Sequence, residues 1–494
     1  MTSVNQEPML IVDDEGPTEN REAYDSIEEN EFFETLVKPQ STFAIDVDTA
    51  SYSNVRRMVR SGTRPPKGAV RLEELVNYFP YKYEEPSGEL PFSVSTEIAA
   101  CPWKPEHQLM RVALRGRTVD FARRKPCNLV FLVDVSGSMK SPSKLPLVRT
   151  SLEMLIGELH GDDRIAMVVY AGNSGLVLDS TPVRESHKIL SALDRLDAGG
   201  STNGGAGIQL AYHVARENQI EGGVNRVILC TDGDFNVGIS SDRELVELIQ
   251  REASLGVFLS VLGFGEGNIR DNTMELLADK GNGNYAYIDS MMEARKVLVE
   301  QVGGTLVTIA KDVKIQVDFN SHLVSAYRLL GYENRKLENQ DFRNDKKDAG
   351  EIGSGHTVTA FYELIPTGAE MPGKLGRPAE FVEQKQAVRN QDSNADTETI
   401  LTVNLRYKQP DSDIGQEFQV RVANAALNRE PASNDFRFAT SVLAYGMLLR
   451  DSHYARSLTW DWVISNAQDS NGEDPSALRG EFVQLAMRAS DMLQ

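Results

Sequence analysis

Between Asn128 and about Gly304 the chain repeats one pattern, a short apolar run followed by an amphipathic stretch, and this restricts its fold more tightly than any other feature. The runs NLVFLVDV, RIAMVVYA, NRVILCTD, GVFLSVLGF and NYAYID are almost wholly apolar, as parallel strands covered on both faces are. Between them, segments near 143–159, 186–196, 204–218, 241–254, 270–280 and 290–301 read as amphipathic helices. In the first, Leu145, Val148, Leu152, Leu155, Ile156 and Leu159 keep helical spacing. The alternation predicts an α/β unit with a doubly wound, mostly parallel sheet and right-handed crossovers.

The flanks read differently. STFAIDVDTAS has the alternation of a strand, Tyr52–Gly62 and Val70–Phe79 read as short helices, and PFSVSTEIAA with HQLMRVALRGR reads as a β-hairpin. After 305, KDVKIQVDF, HTVTAFYELIP, TILTVNLRYK and EFQVRVAN are strand-like. They predict a β-rich, sandwich-like region, completed by the strands near 92–117, with the α/β unit inserted into it. The stretch 368–397 reads as a mobile loop, and Asp435–Leu449 and Pro475–Leu493 read as helices of a small C-terminal unit. The expected division is 1–40, 41–125, 126–305, 306–425 and 426–494.

The formal charge is −20, and residues 1–37 carry half of it, with eleven acids against one arginine. They read as a flexible acidic tail, a solubilising spacer or an internal ligand, attached to a mildly acidic body. This balance argues against nucleic-acid binding, which relies on neutralising phosphates. No run of 18 apolar residues is present, so no membrane-spanning helix is expected. The first eleven residues lack the basic and apolar regions of a signal peptide. Cys101, Cys127 and Cys230 are too few for a disulfide framework and read as free, buried thiols.

The chemistry concentrates where the first apolar run ends, in Asp134-Val135-Ser136-Gly137-Ser138. Alternating side-chain oxygens can converge on one side of a tight loop beyond a strand's carboxyl end, where open α/β sheets bind ligands. Thr202, in GGSTNGGAG, and Asp232, in CTDGD, offer further oxygens at matching loop ends. Such a set suits a hard divalent cation. Two carboxylates against a 2+ ion leave the centre near neutrality, so a partner's carboxylate can complete the shell without strong repulsion.

DxSxS followed by a threonine loop and a later aspartate resembles the metal-ion-dependent adhesion site of von Willebrand factor type A domains, and all five positions fit. FAIDVDTASYSNVRR, RLEELVNYF, GGSTNGGAGIQLAY, NRVILCTDGDFNVGIS, DKGNGNYAYID and DFRFATSVLAYGMLLR are similar to one bacterial branch, the YfbK-like proteins. There a type A domain sits between an N-terminal region and a C-terminal region of unknown function. The resemblance covers most of the chain from about Ser41. It implies a Rossmann-like type A fold and a site of Asp134, Ser136, Ser138, Thr202 and Asp232 holding Mg²⁺, or else Mn²⁺ or Ca²⁺. It further implies a protein partner that donates Glu or Asp to the metal, in adhesion or scaffolding. Relatives usually begin with an export or lipoprotein signal, so the resemblance also implies the cell envelope. The helix at 290–301 matches the last helix, whose movement switches affinity in type A relatives. An alternative within the same resemblance is a subunit that assists a partner ATPase or chelatase.

Other motifs carry less. Asp46-Val47-Asp48-Thr49 resembles the nucleophile loop of aspartate-based phosphatases, but Ala50 and the lack of a later lysine–acid pair favour a strand end with Asp48 or Thr49 capping the next helix. Ser141-Pro142-Ser143-Lys144 matches SxxK without its companions and reads as the cap of the helix after the loop. GxSxG, HExxH and Walker A patterns are missing from the sequence, so enzyme activity is not expected and a metal-assisted hydrolase is the weakest alternative. Arg56, Arg57, Arg60, Arg64, Lys67 and Arg71 form the one basic run. It reads as a solvated or locally paired face, or as a surface that receives the acidic segment 13–34.

Overall fold

The computed structural model describes residues 24 and 26–493, apart from 46–47, 121–123, 172–173, 200–203, 234–241, 267–270, 346, 348, 373–396, 411 and 425–431. The loop expected at 368–397 therefore lies largely outside the described residues.

Among the described residues the first elements are strands β1 (Phe33–Glu34) and β2 (Gln40–Ala44), then helices α1 (Ala50–Arg60) and α2 (Leu72–Asn77). The expected hairpin follows as β3 (Phe92–Ala100) and β4 (Gln108–Gly116), paired antiparallel.

The α/β unit opens with β5 (Cys127–Asp134), whose eight residues are all buried. It continues through α3 (Leu145–Glu158), β6 (Arg164–Tyr170), β7 (Ser174–Pro182), α4 (Ser186–Asp194) and α5 (Gly204–Glu217). Then come β8 (Val224–Thr231), α6 (Asp242–Ser254), β9 (Phe258–Phe264), α7 (Asp271–Lys280), β10 (Tyr285–Ile288) and α8 (Met291–Arg295). The six strands run in the order β10-β9-β8-β5-β6-β7. All neighbours are parallel except β7, an antiparallel edge strand. Alternate residues of β5 serve opposite faces. Leu129, Phe131 and Val133 join a core with Val148 and Leu152 of α3, while Val130 and Leu132 join one with Ile208 and Leu245 of α5 and α6. This double covering is why the strand reads as a continuous apolar run. After α8 the helix opens into a π turn at Lys296–Glu300 and ends in α9 (Val302–Leu306).

Next follow β11 (Thr308–Phe319), β12 (Val324–Leu330), β13 (Lys336–Leu337), β14 (Ile352–Gly353), β15 (Thr357–Pro366), β16 (Thr399–Lys408) and β17 (Gly415–Ala423). They form two further sheets, β1-β12-β15-β4-β3 and β13-β2-β11-β16-β17, with β14 attached to β11. Each sheet mixes strands from before and after the α/β unit. One apolar core, including Phe43, Val112, Val317, Tyr362 and Val403, joins them as a sandwich.

The chain closes with α10 (Asn434–Leu449), α11 (Trp460–Asp469) and α12 (Leu478–Leu493). Ser433 caps α10 by accepting from Phe436 N at 3.1 Å, and Thr459 caps α11 by accepting from Trp462 N at 3.2 Å. These helices do not form a separate unit. They share one core with α1 and α2, in which Tyr52, Leu75, Phe438 and Phe482 meet. Gly446 permits the close approach: a Cβ there would stand 2.6 Å from Leu72 Cδ2.

Two expectations are corrected and a third is met in part. The end of the acidic segment is docked: Phe32 is buried, and Asn30 Nδ2 donates to the carbonyls of Leu329 and Gly331 at 3.0 and 2.8 Å. β1 pairs with β12, because an apolar pair and backbone groups matter more than the surrounding acids. The basic run divides: Arg60, Arg64 and Lys67 are exposed, as a solvated face would be, whereas two of its arginines are buried and paired. Arg56 is fully buried and donates to Asp289, Glu293 and the Tyr78 hydroxyl, while buried Arg71 is held by Glu74 and Glu275. Finally, neither Asp48 nor Thr49 caps α1. Thr49 makes no side-chain cap bond, and Asp48 Oδ1 accepts from Tyr285 N at 2.9 Å, tying the linker to β10. Asp46 lies outside the described residues.

All three cysteines are free and buried, and Cys230 lies opposite Val133, six positions along β5 from Cys127. Among the described residues no helix is long and apolar enough to cross a membrane.

Candidate metal centre

β5 and β8 are parallel neighbours in the middle of the sheet, so their carboxyl ends open onto one region. Asp134 is the last residue of β5 and Asp232 immediately follows β8, and both are fully buried. The register that sets Asp134 opposite Tyr170 of β6 brings a phenol to the same end.

The loop after β5 uses its side chains twice. Asp134 Oδ1 accepts from Ser136 N at 2.8 Å, which turns the chain sharply. Ser136 and Ser138 then stand with their hydroxyls 3.0 Å apart; Ser136 is buried and Ser138 exposed. A 3₁₀ turn, Gly137–Lys140, follows, with Met139 buried beneath it. Val135 is held from both sides: its N–H donates to Tyr170 O at 3.0 Å, and Gly199 N donates to its carbonyl at 2.7 Å. That last bond anchors the segment entering the second loop. Thr202 itself lies outside the described residues. On the β8 side, Gly233 has φ +98° and its N–H donates to Thr231 Oγ1 at 3.2 Å, so a turn residue that only glycine tolerates well follows Asp232.

Burial pushes the Asp134 carboxyl up to about 6, and the nearby Asp232 carboxylate adds to the rise against the Ser136 N–H. Burial, reinforced by Asp134, also drives the Tyr170 hydroxyl well above its ordinary value. Asp134 Oδ2 is buried and accepts no hydrogen bond of standard geometry, with the Tyr170 hydroxyl giving the carboxylate only partial support. A cation there would relieve both costs, the unmet acceptor and the like-charge pair. Asp134, Ser136, Ser138 and Asp232 thus present two carboxylates and two hydroxyls, a donor set that fits a hard divalent ion. Among the described residues no cluster of three or more His, Cys, Asp or Glu is placed to hold a metal.

One neighbour was not foreseen as part of this region. Lys144 Nζ donates to Asp232 Oδ2 at 2.8 Å, with both side chains buried. The residue read as part of a helix cap does hold the N-cap position of α3, yet its side chain makes no capping bond. No local pattern announces a pair formed across 88 residues; it exists because β5 and β8 lie side by side. Tyr170 was likewise hidden, since only the β5–β6 register sets it beside Asp134.

Comparison with known proteins agrees with this architecture. Residues 128–301 match the family described as "von Willebrand factor type A domain", 18–111 match "von Willebrand factor", and 304–492 match "Uncharacterized protein YfbK, C-terminal". Uncharacterized protein YfbK of Escherichia coli (strain K12) is 40% identical over 470 residues, covering 94% of this chain and 80% of that protein. Inter-alpha-trypsin inhibitor heavy chain H3 of Bos taurus is 31% identical over 169 residues, covering 32% of this chain and 18% of that protein. A solved von Willebrand factor type A structure from Catenulispora acidiphila is 14% identical, covers 81% of this chain and 95% of its own, and has a TM-score of 0.44. Type A domains commonly mediate metal-dependent protein–protein interaction. A chain built around such a domain, 40% identical to YfbK across nearly its whole length and carrying the YfbK C-terminal region, belongs to the YfbK family of type A domain proteins.

Proposed function

We propose that the chain binds another protein through a divalent cation at the carboxyl end of its central sheet. The observation that supports this reading is the pair of buried carboxylates, Asp134 and Asp232, at the ends of neighbouring strands, with the Ser136 and Ser138 hydroxyls in the loop that Asp134 turns. Asp134, Ser136, Ser138, Asp232 and, from the second loop, Thr202 would hold Mg²⁺, with Mn²⁺ or Ca²⁺ as substitutes. When bound, the ion supplies a Lewis-acidic point for an anionic ligand. Fixed charges of −2 against +2 favour a single incoming carboxylate, a Glu or Asp of the partner.

The chain's own residues prepare that contact. Asp134 and the Ser136 N–H fix the loop, Val135 is clamped by Tyr170 O and Gly199 N, and exposed Ser138 marks the side open to a partner. In this reading both carboxylates serve as ligands and the centre serves binding. The type A domain spans 126–305, and the flanks 41–125, 306–425 and 426–494 hold it in place.

Calorimetric titration of the full chain with Mg²⁺ and Mn²⁺ tests the centre. Saturable binding to one site is expected in the wild type and its loss is expected in Asp134→Ala. Equal binding by both proteins would contradict the assignment.

A further inference from the structure

We infer that the Lys144 ammonium is a built-in competitor for the metal ion: it sits on Asp232, and a divalent cation loads by lifting it off. The inference rests on the metal reading above and adds to it the residue that sets how readily the ion binds.

The position of this side chain is well defined. Lys144 Nζ lies 2.8 Å from Asp232 Oδ2, with the side chains 9% and 0% exposed. Its stem crosses Gly265, where a Cβ would come within 2.4 Å of both Cγ and Cε. Gly265, immediately after β9, has φ +78°, and its lack of a side chain gives the lysine its passage. Lys144 also belongs to the segment that follows Ser138, so a single stretch of chain supplies both the hydroxyl donors and a cation.

An ion held by Asp232 and Asp134 would meet this ammonium at close range. Two cations on one buried carboxylate repel, and the ammonium is the mobile one, a point charge on a flexible four-carbon stem. Asp232 and Asp134 already act on each other electrostatically, so a charge on one is felt by the other. Lys144 therefore weakens metal binding while it neutralises Asp232 inside the protein. Its release on loading leaves a positive charge at the rim of the centre, where an anionic partner arrives.

Two measurements on the full chain test this. In calorimetric titrations with Mn²⁺, Lys144→Met is expected to bind about tenfold more tightly than wild type, the effect of removing one close like charge from a partly screened site. Equal or weaker affinity would overturn the inference. The second uses the wild-type protein: acetylation by an N-hydroxysuccinimide ester, read lysine by lysine by mass spectrometry. Lys144 is expected to be protected before Mn²⁺ is added and acetylated afterwards, with the exposed Lys140 acetylated in both as the control. Labelling of Lys144 that Mn²⁺ does not change would also overturn it. If wild type binds Mn²⁺, Asp134→Ala does not, and Lys144→Met equals wild type, the competitor alone is refuted. If neither wild type nor Lys144→Met binds Mn²⁺, the metal reading itself falls.

Discussion

Replacing Arg56 with methionine isolates the contact that binds the α/β unit to both flanks. The guanidinium is fully buried on α1 and reaches Asp289 through Nε at 2.9 Å and Nη2 at 2.5 Å. Nη2 also donates to Glu293 on α8 at 2.8 Å, and Nη1 to the Tyr78 hydroxyl at 2.7 Å and Glu481 of α12 at 3.4 Å. Burial opposes the charge on Glu293, but Lys296 and Arg56 overcome it and hold that carboxyl below the usual range. Methionine keeps much of the stem's volume, removes the cation that holds Asp289 and leaves Glu293 with Lys296 alone. Breaking a buried pair from one side costs about 3–5 kcal/mol. For a chain of 494 residues, unfolding entropy near 2 cal/mol/K per residue turns that into a fall in Tm of about 3–5 °C.

Arg60, on the same helix but 47% exposed, pairs with Glu481 and provides the control, since an exposed pair contributes less than about 1 kcal/mol. The sign of the pH dependence also follows. A carboxyl held low in the fold stabilises above its unfolded value and loses that contribution as pH falls through the lower folded value. The gap between wild type and Arg56→Met is therefore wider at pH 7 than at pH 4. Scanning calorimetry at both values measures it. An Arg56→Met melting point within about 1 °C of Arg60→Met at pH 7 would refute the clamp.

Glu363 gives a second pH signature. Despite its burial, Arg328 at 2.6 Å, His107 and Trp103 Nε1 at 3.0 Å hold its carboxyl down to about 2. It contributes about 3 kcal/mol that is present above pH 4.5 and lost as pH falls towards 2, and Glu363→Gln is expected to flatten this part of an acid-denaturation curve. Gly207→Ala would place a Cβ 2.7 Å from that of Tyr170, so a loss of about 1–3 kcal/mol in thermal melts is expected, together with weaker Mn²⁺ binding through displacement of the residue beside Asp134. Phe32→Ala removes a ring packed 5.7 Å from both His107 and Tyr454. A cost of about 3 kcal/mol and faster proteolysis near residue 30 are expected, whereas unchanged stability would return that segment to a free tail.

What the sequence disclosed depended on how each element is covered. β5, β6, β8 and β9 announce themselves because both faces are buried, whereas β7 is an edge strand whose residues are mostly only half-buried, and it gave no apolar run. β12 was hidden by Arg328, a charged residue that points into the buried Glu363 cluster and breaks the pattern of VSAYRLL. α11 buries little beyond Val463 and Ala467, too few residues to mark a helical stripe. The positions of Asp134 and Asp232 were legible because the apolar runs before them mark where β5 and β8 stop. Lys144 was not, since its link to Asp232 arises from strand order, and the pairing of Arg56 with Asp289 and Glu293 depends on docking between flank and α/β unit. The acidic segment misled for a related reason: charge describes what surrounds Phe32 but not where its ring goes.

The central claim is that a divalent ion at Asp134 and Asp232 joins this protein to another. Affinity capture on the immobilised full chain tests it most directly, performed with Mg²⁺, with EDTA, and with Asp134→Ala in Mg²⁺. The expected result is a partner retained by wild type in Mg²⁺ and lost in both other arms, and replacement of one Glu or Asp of that partner should abolish its retention. A partner held equally in all three arms would contradict metal-dependent binding.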